Sequence, residues 1–202
     1  MADSYYTISS AGTGVFKDRG SKFIGMAYPV SNEQEIKAIL NELKKTHPAA
    51  RHFCYAWRLG ADMQSFRMND DGEPSHTAGK PIFGQIQNKN LTNVLIVVIR
   101  YFGGTLLGTN GLIQAYKSAA ASAIENTEIL EKFIYIEFRL KYQLEDVNKV
   151  MKVLKDLDAE ITKQEYTNSY EAEFRIKKLN EKMLIEKLKH LYNCELKQTG
   201  LI

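Results

Sequence analysis

The clearest apolar segment of the chain is Val94–Ile99, six hydrophobic residues in a row. A continuous run of this length is typical of a strand that is buried on both faces. The glycine-rich segment RYFGGTLLGTNG follows at 100–111, and apolar residues then recur at helical spacing up to Ala123. This order predicts a buried strand, a glycine-rich turn and a helix that packs close to a sheet.

Upstream of this strand, the pattern predicts several strands and two helices, the second of which runs through Phe83, Ile86 and Gln87. Apolar residues from Ile36 to Leu43 fall on one helical face, and Ser31 and Gln34 have the spacing of a capping box. The pair His47-Pro48 predicts the end of this helix. Strands are predicted at 5–8, 14–16, 21–29, 53–59 and 63–68, with a hairpin turn at Gly60 between the last two.

The last seventy residues show a simpler alternation of strand and helix patterns. Alternating residues at 133–142 are followed by a helical stripe at 147–154. Strands at 159–166 and 169–177 flank a turn at Thr167-Asn168, and a helix capped by Asn180 and a short strand at 194–198 complete the segment. The order β-α-β-β-α-β matches the ferredoxin-like fold.

Glycine and proline are distributed unevenly along the chain. Twelve of the 13 glycines and all four prolines precede residue 112. This asymmetry favours two domains of the α+β class, a turn-rich domain over 1–130 and a ferredoxin-like domain over 131–202, joined by a short junction.

Bulk composition excludes several classes of protein. The net charge of +3 is only mildly basic, so any nucleic-acid binding has to come from local clusters of charge. The first residues lack the pattern of a signal peptide, and no apolar run approaches the length of a membrane helix. The cysteines Cys54 and Cys194 are far apart, which fits a reducing cytosol and no structural zinc site. We therefore expect a cytoplasmic protein that does not bind a membrane.

The glycine-rich turn at 100–111 is the first candidate site. Its four glycines can direct free backbone N–H groups at one point, and Arg100 lies at its start, so the turn can hold an anion at a helix N-terminus. It lacks the lysine of a P-loop and the GxGxxG spacing of a dinucleotide site. The alternative is a structural turn whose glycines allow close packing of strand and helix.

The acidic loop at 70–81 is the second candidate site. Asp70, Asp71, Glu73 and His76 can form a metal site, although their spacing matches no known metal motif. Glu73 and His76 can also act as a general acid–base pair. The alternative is a solvated turn, because Asp-Gly and Glu-Pro favour turns by conformation alone. Residues 77–80 predict a second helix start that faces an anion, and 70–81 and 100–111 together predict the two walls of a groove.

Two further groups of residues carry possible binding chemistry. His52, beside Arg51 at the start of a strand, is a candidate base or a stacking partner for a nucleobase, with an ordinary strand-edge histidine as the alternative. Lys17, Arg19 and Lys22 flank a turn and either contact phosphate or are simply solvated. The outward strand face at 171–177 fits a docking surface for a protein partner or a purely structural role.

The segments DDGEPSHTAGKPI at 70–82 and VVIRYFGGTLLGTNGLIQAY at 97–116 resemble the signature segments of the IMPACT/YigZ family. SKFIG at 21–25 and RHFCYAW at 51–57 also fit this pattern, and the resemblance covers about residues 12–127. The segment from about 131 to 202 is similar to the second domain of the two-domain bacterial YigZ branch. His76 departs from the family pattern, in which small residues are common at that place.

The resemblance implies a first domain like domain IV of elongation factor G, with a ribosomal-protein-like β-α fold, and a second domain like domain V of the same factor. It also implies relatives that regulate translation in eukaryotes, by competing for an activator of the amino-acid-starvation kinase. In bacterial members, nucleic-acid or ribosome binding is suspected from the fold. The family-signature positions are Asp71, Glu73, Thr77, Gly79, Arg100, Gly103, Gly104, Gly108 and Gly111.

Together these patterns predict a translation-associated binding protein that contacts RNA or the ribosome, with no metal, no cofactor and no DNA sequence specificity. The alternatives are a small hydrolase or metal-assisted enzyme that uses Asp71, Glu73 and His52, and a protein–protein regulator that docks through its C-terminal domain. The predicted ligand-binding residues are Arg51, His52, Asp71, Glu73, Thr77, Gly79, Lys80, Arg100, Tyr101, Gly103, Gly104, Gly108 and Gly111.

Overall fold

A computed structural model describes residues 3–166, 169–191 and 193–201. The chain divides into two compact units, residues 1–132 and 133–202, while the sequence predicts a boundary after residue 130. The predicted turn at Thr167-Asn168 lies outside the described residues. Among the described helices, none combines the length and the apolar composition needed to cross a membrane.

In its described residues, the first unit contains seven strands and three helices. Its elements are β1 Ser4–Ile8, β2 Gly12–Asp18, β3 Ser21–Pro29, α1 Glu33–Thr46, β4 His52–Leu59, β5 Ser65–Asn69, α2 Gly79–Asn88, β6 Val94–Tyr101, α3 Gly108–Glu125 and β7 Ile129–Phe133. Strand β7, which pairs with β1, is absent from the predicted elements, since its five residues are largely exposed and show no alternation of apolar and polar positions.

The main sheet of this unit has the strand order β2-β3-β6-β4-β5, with antiparallel pairing throughout. The apolar run at 94–99 lies in the central strand β6 and is buried on both faces, as the sequence predicts. Helices α2 and α3 cover one face of the sheet, and α1 covers the other. The strand continues through Arg100 and Tyr101, so these two side chains lie on a rigid element and not in the turn.

Helix α3 packs unusually close to strands β2 and β3. A Cβ atom at Gly25 would lie 2.1 Å from the carbonyl oxygen of Ala119, and one at Gly14 would lie 2.5 Å from Ser122. Small residues on both surfaces therefore allow backbone to approach backbone. This contact fixes the position of α3, whose first turn borders the site described below.

The start of α1 differs from the predicted capping box by one residue. Asn32, not Ser31, is the N-cap, and its side chain accepts a hydrogen bond of 2.9 Å from the N–H of Glu35. The Glu35 carboxylate in turn accepts one of 2.8 Å from the N–H of Ser31. Asn32 and Glu35 thus have the spacing of a capping box in place of Ser31 and Gln34, but the return bond goes to the N–H of Ser31, one residue before the N-cap.

The second unit has the predicted β-α-β-β-α-β order. Its elements are β8 Tyr135–Tyr142, α4 Val147–Asp156, β9 Glu160–Tyr166, β10 Tyr170–Lys177, α5 Glu181–Leu188 and β11 Glu195–Leu201. The antiparallel sheet has the order β11-β8-β10-β9, which confirms the α+β class and the ferredoxin-like arrangement. Its outward charges are largely paired with one another, for example Arg139 with Glu171 and Glu173.

Candidate functional site

A cleft of about 630 Å³ lies in the first unit, at the end of the main sheet where β6 ends and β4 begins. Three segments form its walls: the start of β4, the acidic loop, and the turn between β6 and α3. Its volume falls in the range of small-ligand sites. The residues that line it are Ala49, Arg51, His52, Gly72, Glu73, Pro74, Arg100, Tyr101, Phe102, Leu106, Leu107, Gly108, Thr109 and Leu112.

A buried ion pair joins two walls of this cleft. Nη1 of Arg100 donates a hydrogen bond of 2.6 Å to Oε1 of Glu73, and the two side chains are only 6% and 4% exposed. The Arg100 guanidinium also lies over the rings of Phe23 and Phe102, at 5.5 and 5.4 Å from their centres. A short, charge-assisted bond between buried groups holds the acidic loop against the end of β6.

Two further polar side chains extend this pair into the core. The Tyr116 hydroxyl, on α3, donates a hydrogen bond of 2.7 Å to the same Glu73 oxygen. The Cys54 thiol lies 3.3 Å from that hydroxyl and 3.0 Å from the carbonyl oxygen of Asp70. Burial raises the pKa of Cys54 and of Tyr116 well above their ordinary values, so both groups stay protonated and act as hydrogen-bond donors.

Asp70 organises the rest of the acidic loop. Its carboxylate accepts hydrogen bonds from the N–H groups of His76, Ala78 and Gly79, at 2.8–3.0 Å. Burial raises the pKa of Asp70, but these three backbone donors outweigh it and hold the pKa below its usual value. The helix start at 77–80 therefore does face an anion, but this anion is the carboxylate of Asp70, which occupies the N-terminus of α2.

Asp71 and His52 connect the loop to strand β4. The Asp71 carboxylate accepts a hydrogen bond of 2.7 Å from the N–H of Phe53, and Nδ1 of His52 lies 2.9 Å from the Asp71 carbonyl oxygen. A carbonyl oxygen only accepts, so Nδ1 carries the proton. In the neutral ring, the free lone pair is then on Nε2, and His52 lines the cleft.

The glycines of the turn serve different purposes. Gly103 packs on the β2–β3 turn, where a Cβ atom would lie 1.9 Å from the carbonyl carbon of Gly20. Gly104 and Gly108 have φ of +86° and +70° and face open space. Gly111 sits under the Leu107 side chain. Only Gly108, at the start of α3, lines the cleft.

The predicted ligand-binding residues thus fall into two groups. Those that line the cleft are Arg51, His52, Glu73, Arg100, Tyr101 and Gly108. Those that do not line it are Asp71, Thr77, Gly79, Lys80, Gly103, Gly104 and Gly111. Thr77 and Gly79 are buried parts of the loop, since the Thr77 hydroxyl donates to the Pro74 carbonyl and Gly79 packs against the Asn69 backbone.

The acidic residues give little support to metal or acid–base chemistry. Within residues 3–166, 169–191 and 193–201, no three His, Cys, Asp or Glu side chains cluster as metal ligands. Asp71 and Glu73 both accept hydrogen bonds inside the fold, and His76 is an exposed residue with φ of +66°. His76 takes part in the loop through its backbone N–H.

Sequence reasoning missed several residues that shape this site. Phe102 and Leu106 are 54% and 81% exposed and line the cleft, although apolar residues between glycines gave no sign of exposure. Tyr116 lies on the helical stripe between 112 and 123, and this spacing alone predicts only a core position. A tyrosine among alanines on a buried helix face does need a partner for its hydroxyl, and this was the available signal.

The fold and the cleft define a two-unit α+β protein whose first unit holds a polar site at one end of its sheet. Residues 19–124, more than half of the chain, match the family model of the Impact N-terminal domain. The chain belongs to the IMPACT family.

Relatives of known name support this assignment. The chain is 34% identical over 156 residues to the IMPACT family member YigZ of Escherichia coli (strain K12), which covers 76% of each protein. It is 37% identical over 132 residues to the IMPACT family member YvyE of Bacillus subtilis (strain 168), covering 65% of this chain and 61% of that protein. A crystal structure of a hypothetical protein matches 99% of both chains, with 28% identity and a TM-score of 0.72.

Proposed function

We propose that this protein is a non-enzymatic, translation-associated regulatory protein that contacts RNA or the ribosome through the cleft of its first unit. Membership of the IMPACT family supports the regulatory role, because the resemblance in the signature segments implies relatives that act on translation. The contact with RNA is supported by the charges around the cleft.

The observation that carries this proposal is a difference in pairing: the carboxylate that lines the cleft is paired inside the fold, whereas the guanidinium of Arg51 is exposed to solvent. The carboxylate that lines the cleft, Glu73, is neutralised by Arg100 and accepts a further hydrogen bond from Tyr116. The guanidinium of Arg51 is exposed, and the N-terminus of α3 opens into the cleft at Gly108 and Thr109. Free positive charge and free N–H groups at a helix N-terminus favour an anionic ligand such as a phosphate.

The proposal is tested by binding of the whole protein to RNA and to ribosomal subunits at several salt concentrations. We expect affinity to fall steeply between about 50 and about 200 mM salt, as counterion release requires. Arg51→Ala should weaken binding and reduce the salt dependence by about one phosphate contact.

Arg67→Ala is the matched control, because Arg67 is also exposed, on β5, but does not line the cleft. Arg100→Ala is a poorer test, since it would also leave Glu73 buried without its partner. No binding to RNA or to ribosomal subunits even at low salt would contradict the proposal.

A further inference from the structure

We infer that the cleft receives an unpaired nucleotide of an RNA strand, with its phosphate at the N-terminus of α3 and its base stacked on Phe102. This inference rests on the proposed function and specifies the form of nucleic acid that the cleft selects. Its physical basis is the combination of an exposed aromatic ring, a free helix N-terminus and a line of basic side chains.

The phosphate position is defined by the first turn of α3. In the described part of the chain no side chain caps this helix, and its first four residues, Gly108–Gly111, include no acid. This contrasts with α2, whose N-terminus is occupied by Asp70. A helix of 18 residues thus presents free N–H groups to the cleft.

A buried arginine of the same cleft has a hydrogen-bond donor that the described residues leave unsatisfied. Arg100 lines the same cleft and is only 6% exposed. Its Nε–H nevertheless has no hydrogen-bond partner among the described residues. Buried polar atoms in native proteins are almost always satisfied. The Nε atom itself is enclosed, so a ligand oxygen becomes its acceptor only when the Phe102 ring, which lies over the guanidinium, shifts as the ligand binds.

The base position is defined by Phe102. This ring is 54% exposed although it follows directly on the buried strand β6, and it both lies over the Arg100 guanidinium and lines the cleft. Leu106, which is 81% exposed, lies on the same wall. Exposed aromatic rings beside phosphate-binding groups are typical of proteins that bind single strands, because every unpaired base can stack on such a ring.

The neighbouring hairpin favours a strand over a free mononucleotide. The turn between β2 and β3 packs on the cleft wall, since the N–H of Gly103 donates to the Ser21 hydroxyl. This hairpin carries three exposed basic residues: Lys17, Arg19 and Lys22. Together with Arg51 on the opposite side, they extend positive charge beyond a cleft that holds one nucleotide.

The test compares fluorescence anisotropy of a labelled single-stranded oligonucleotide and of its duplex, with the whole protein in each case. We expect at least about tenfold tighter binding of the single strand, which is the scale of one stacked base. Phe102→Leu keeps an apolar cover over Arg100 but removes the ring, so it should lose about tenfold for the single strand and little for the duplex.

Two further variants separate stacking from an effect on folding. Phe102→Trp should retain binding, and its indole fluorescence should be quenched when an oligonucleotide is added, which a purely structural role of the ring would not produce. Tyr166→Ala is the matched control, because Tyr166 is a comparably exposed aromatic residue in the second unit and does not line the cleft.

The possible failures have different meanings. Equal binding of single strand and duplex, unchanged by Phe102→Leu but still weakened by Arg51→Ala, would overturn this inference and leave the proposed function standing. Competition by a nucleoside monophosphate at the same nucleotide concentration as the oligonucleotide would overturn the choice of a strand. The absence of any binding to RNA or ribosomal subunits would overturn both proposals.

Discussion

At the scale of single residues, Glu73 is the point where the site is held together. One of its oxygens accepts hydrogen bonds from Arg100 on β6 and Tyr116 on α3. Three separate parts of the first unit therefore depend on one carboxylate, and the charges of Arg100 and Glu73 are both shielded from water. A buried pair of this kind is far more sensitive to loss of one partner than to loss of both charges.

We predict that Arg100→Met destabilises the protein by about 3–5 kcal/mol, because it leaves the Glu73 carboxylate buried without a counter-charge. The double variant with Glu73→Gln should be more stable than this single variant, since the amide is neutral and still accepts from Tyr116. Urea unfolding of the single and double variants measures the coupling. A double variant that is less stable than Arg100→Met would contradict this account.

At the scale of elements, adjacent glycines in the turn between β6 and α3 are needed for different reasons. Gly103 is needed for space, because a Cβ atom there would overlap the backbone of Gly20. Gly104 is needed for its backbone angle, since φ is +86° and nothing lies within 4 Å of a Cβ atom. The same residue type thus meets a packing requirement at one position and a conformational requirement at the next.

We predict that Gly104→Ala costs about 1–2 kcal/mol, which is the usual penalty for a left-handed residue with a side chain. Gly103→Ala should cost more, because two backbone segments must separate to admit the methyl group. Unfolding by urea measures both variants under the same conditions. Equal losses would show that the contact between Gly103 and Gly20 gives way without cost.

The N-terminus of α2 should respond to acid through Asp70. The pKa of Asp70 is lower in the folded protein than in the unfolded chain, so its contribution to stability is present above pH ~4 and is lost as the pH falls through the folded value. Asp70→Asn should therefore flatten the dependence of the free energy of unfolding on pH between about pH 5 and about pH 3. At neutral pH it should lower the free energy of unfolding by about 1 kcal/mol.

Urea unfolding at several pH values measures this effect, and Asp62→Asn serves as control, because Asp62 is an exposed residue of the β4–β5 turn. A stability profile of Asp70→Asn with the same acid slope as the parent protein would exclude the carboxylate as its source.

At the scale of the whole molecule, the two units have separate cores. The first unit packs helices on both faces of its main sheet, and the second packs α4 and α5 on its own sheet. Trp57, the one tryptophan of the sequence, is buried in the first unit. Its fluorescence therefore reports unfolding of the first unit, while circular dichroism reports both.

We predict that Leu140→Ala, in the core of the second unit, lowers the stability of that unit by about 2–5 kcal/mol. In urea, the transition seen by circular dichroism should begin earlier and separate from the tryptophan transition, which should stay in place. A shift of both transitions together would show that the units unfold as one.

Much of the fold follows from patterns in the sequence. The run at 94–99 and the alternation in the second unit predicted buried strands correctly, because burial and side-chain period decide those elements. The role of Asp70 was not predictable in the same way, since its partners are backbone groups six to nine residues away. The contact of Arg100 with Glu73 joins residues far apart in sequence, and only the tertiary fold determines which carboxylate meets which cation.

The central position of β6 also determines how the sheet can be completed during synthesis. The hairpins β2–β3 and β4–β5 use neighbouring strands and can form as soon as they are made. Strand β6 then has to enter between β3 and β4, pairing with both. Until it does, two apolar strand edges remain open, and open edges are where chains aggregate. Slow translation between Asn69 and Tyr101 would therefore lengthen the period in which these open edges of the nascent chain can pair with other chains.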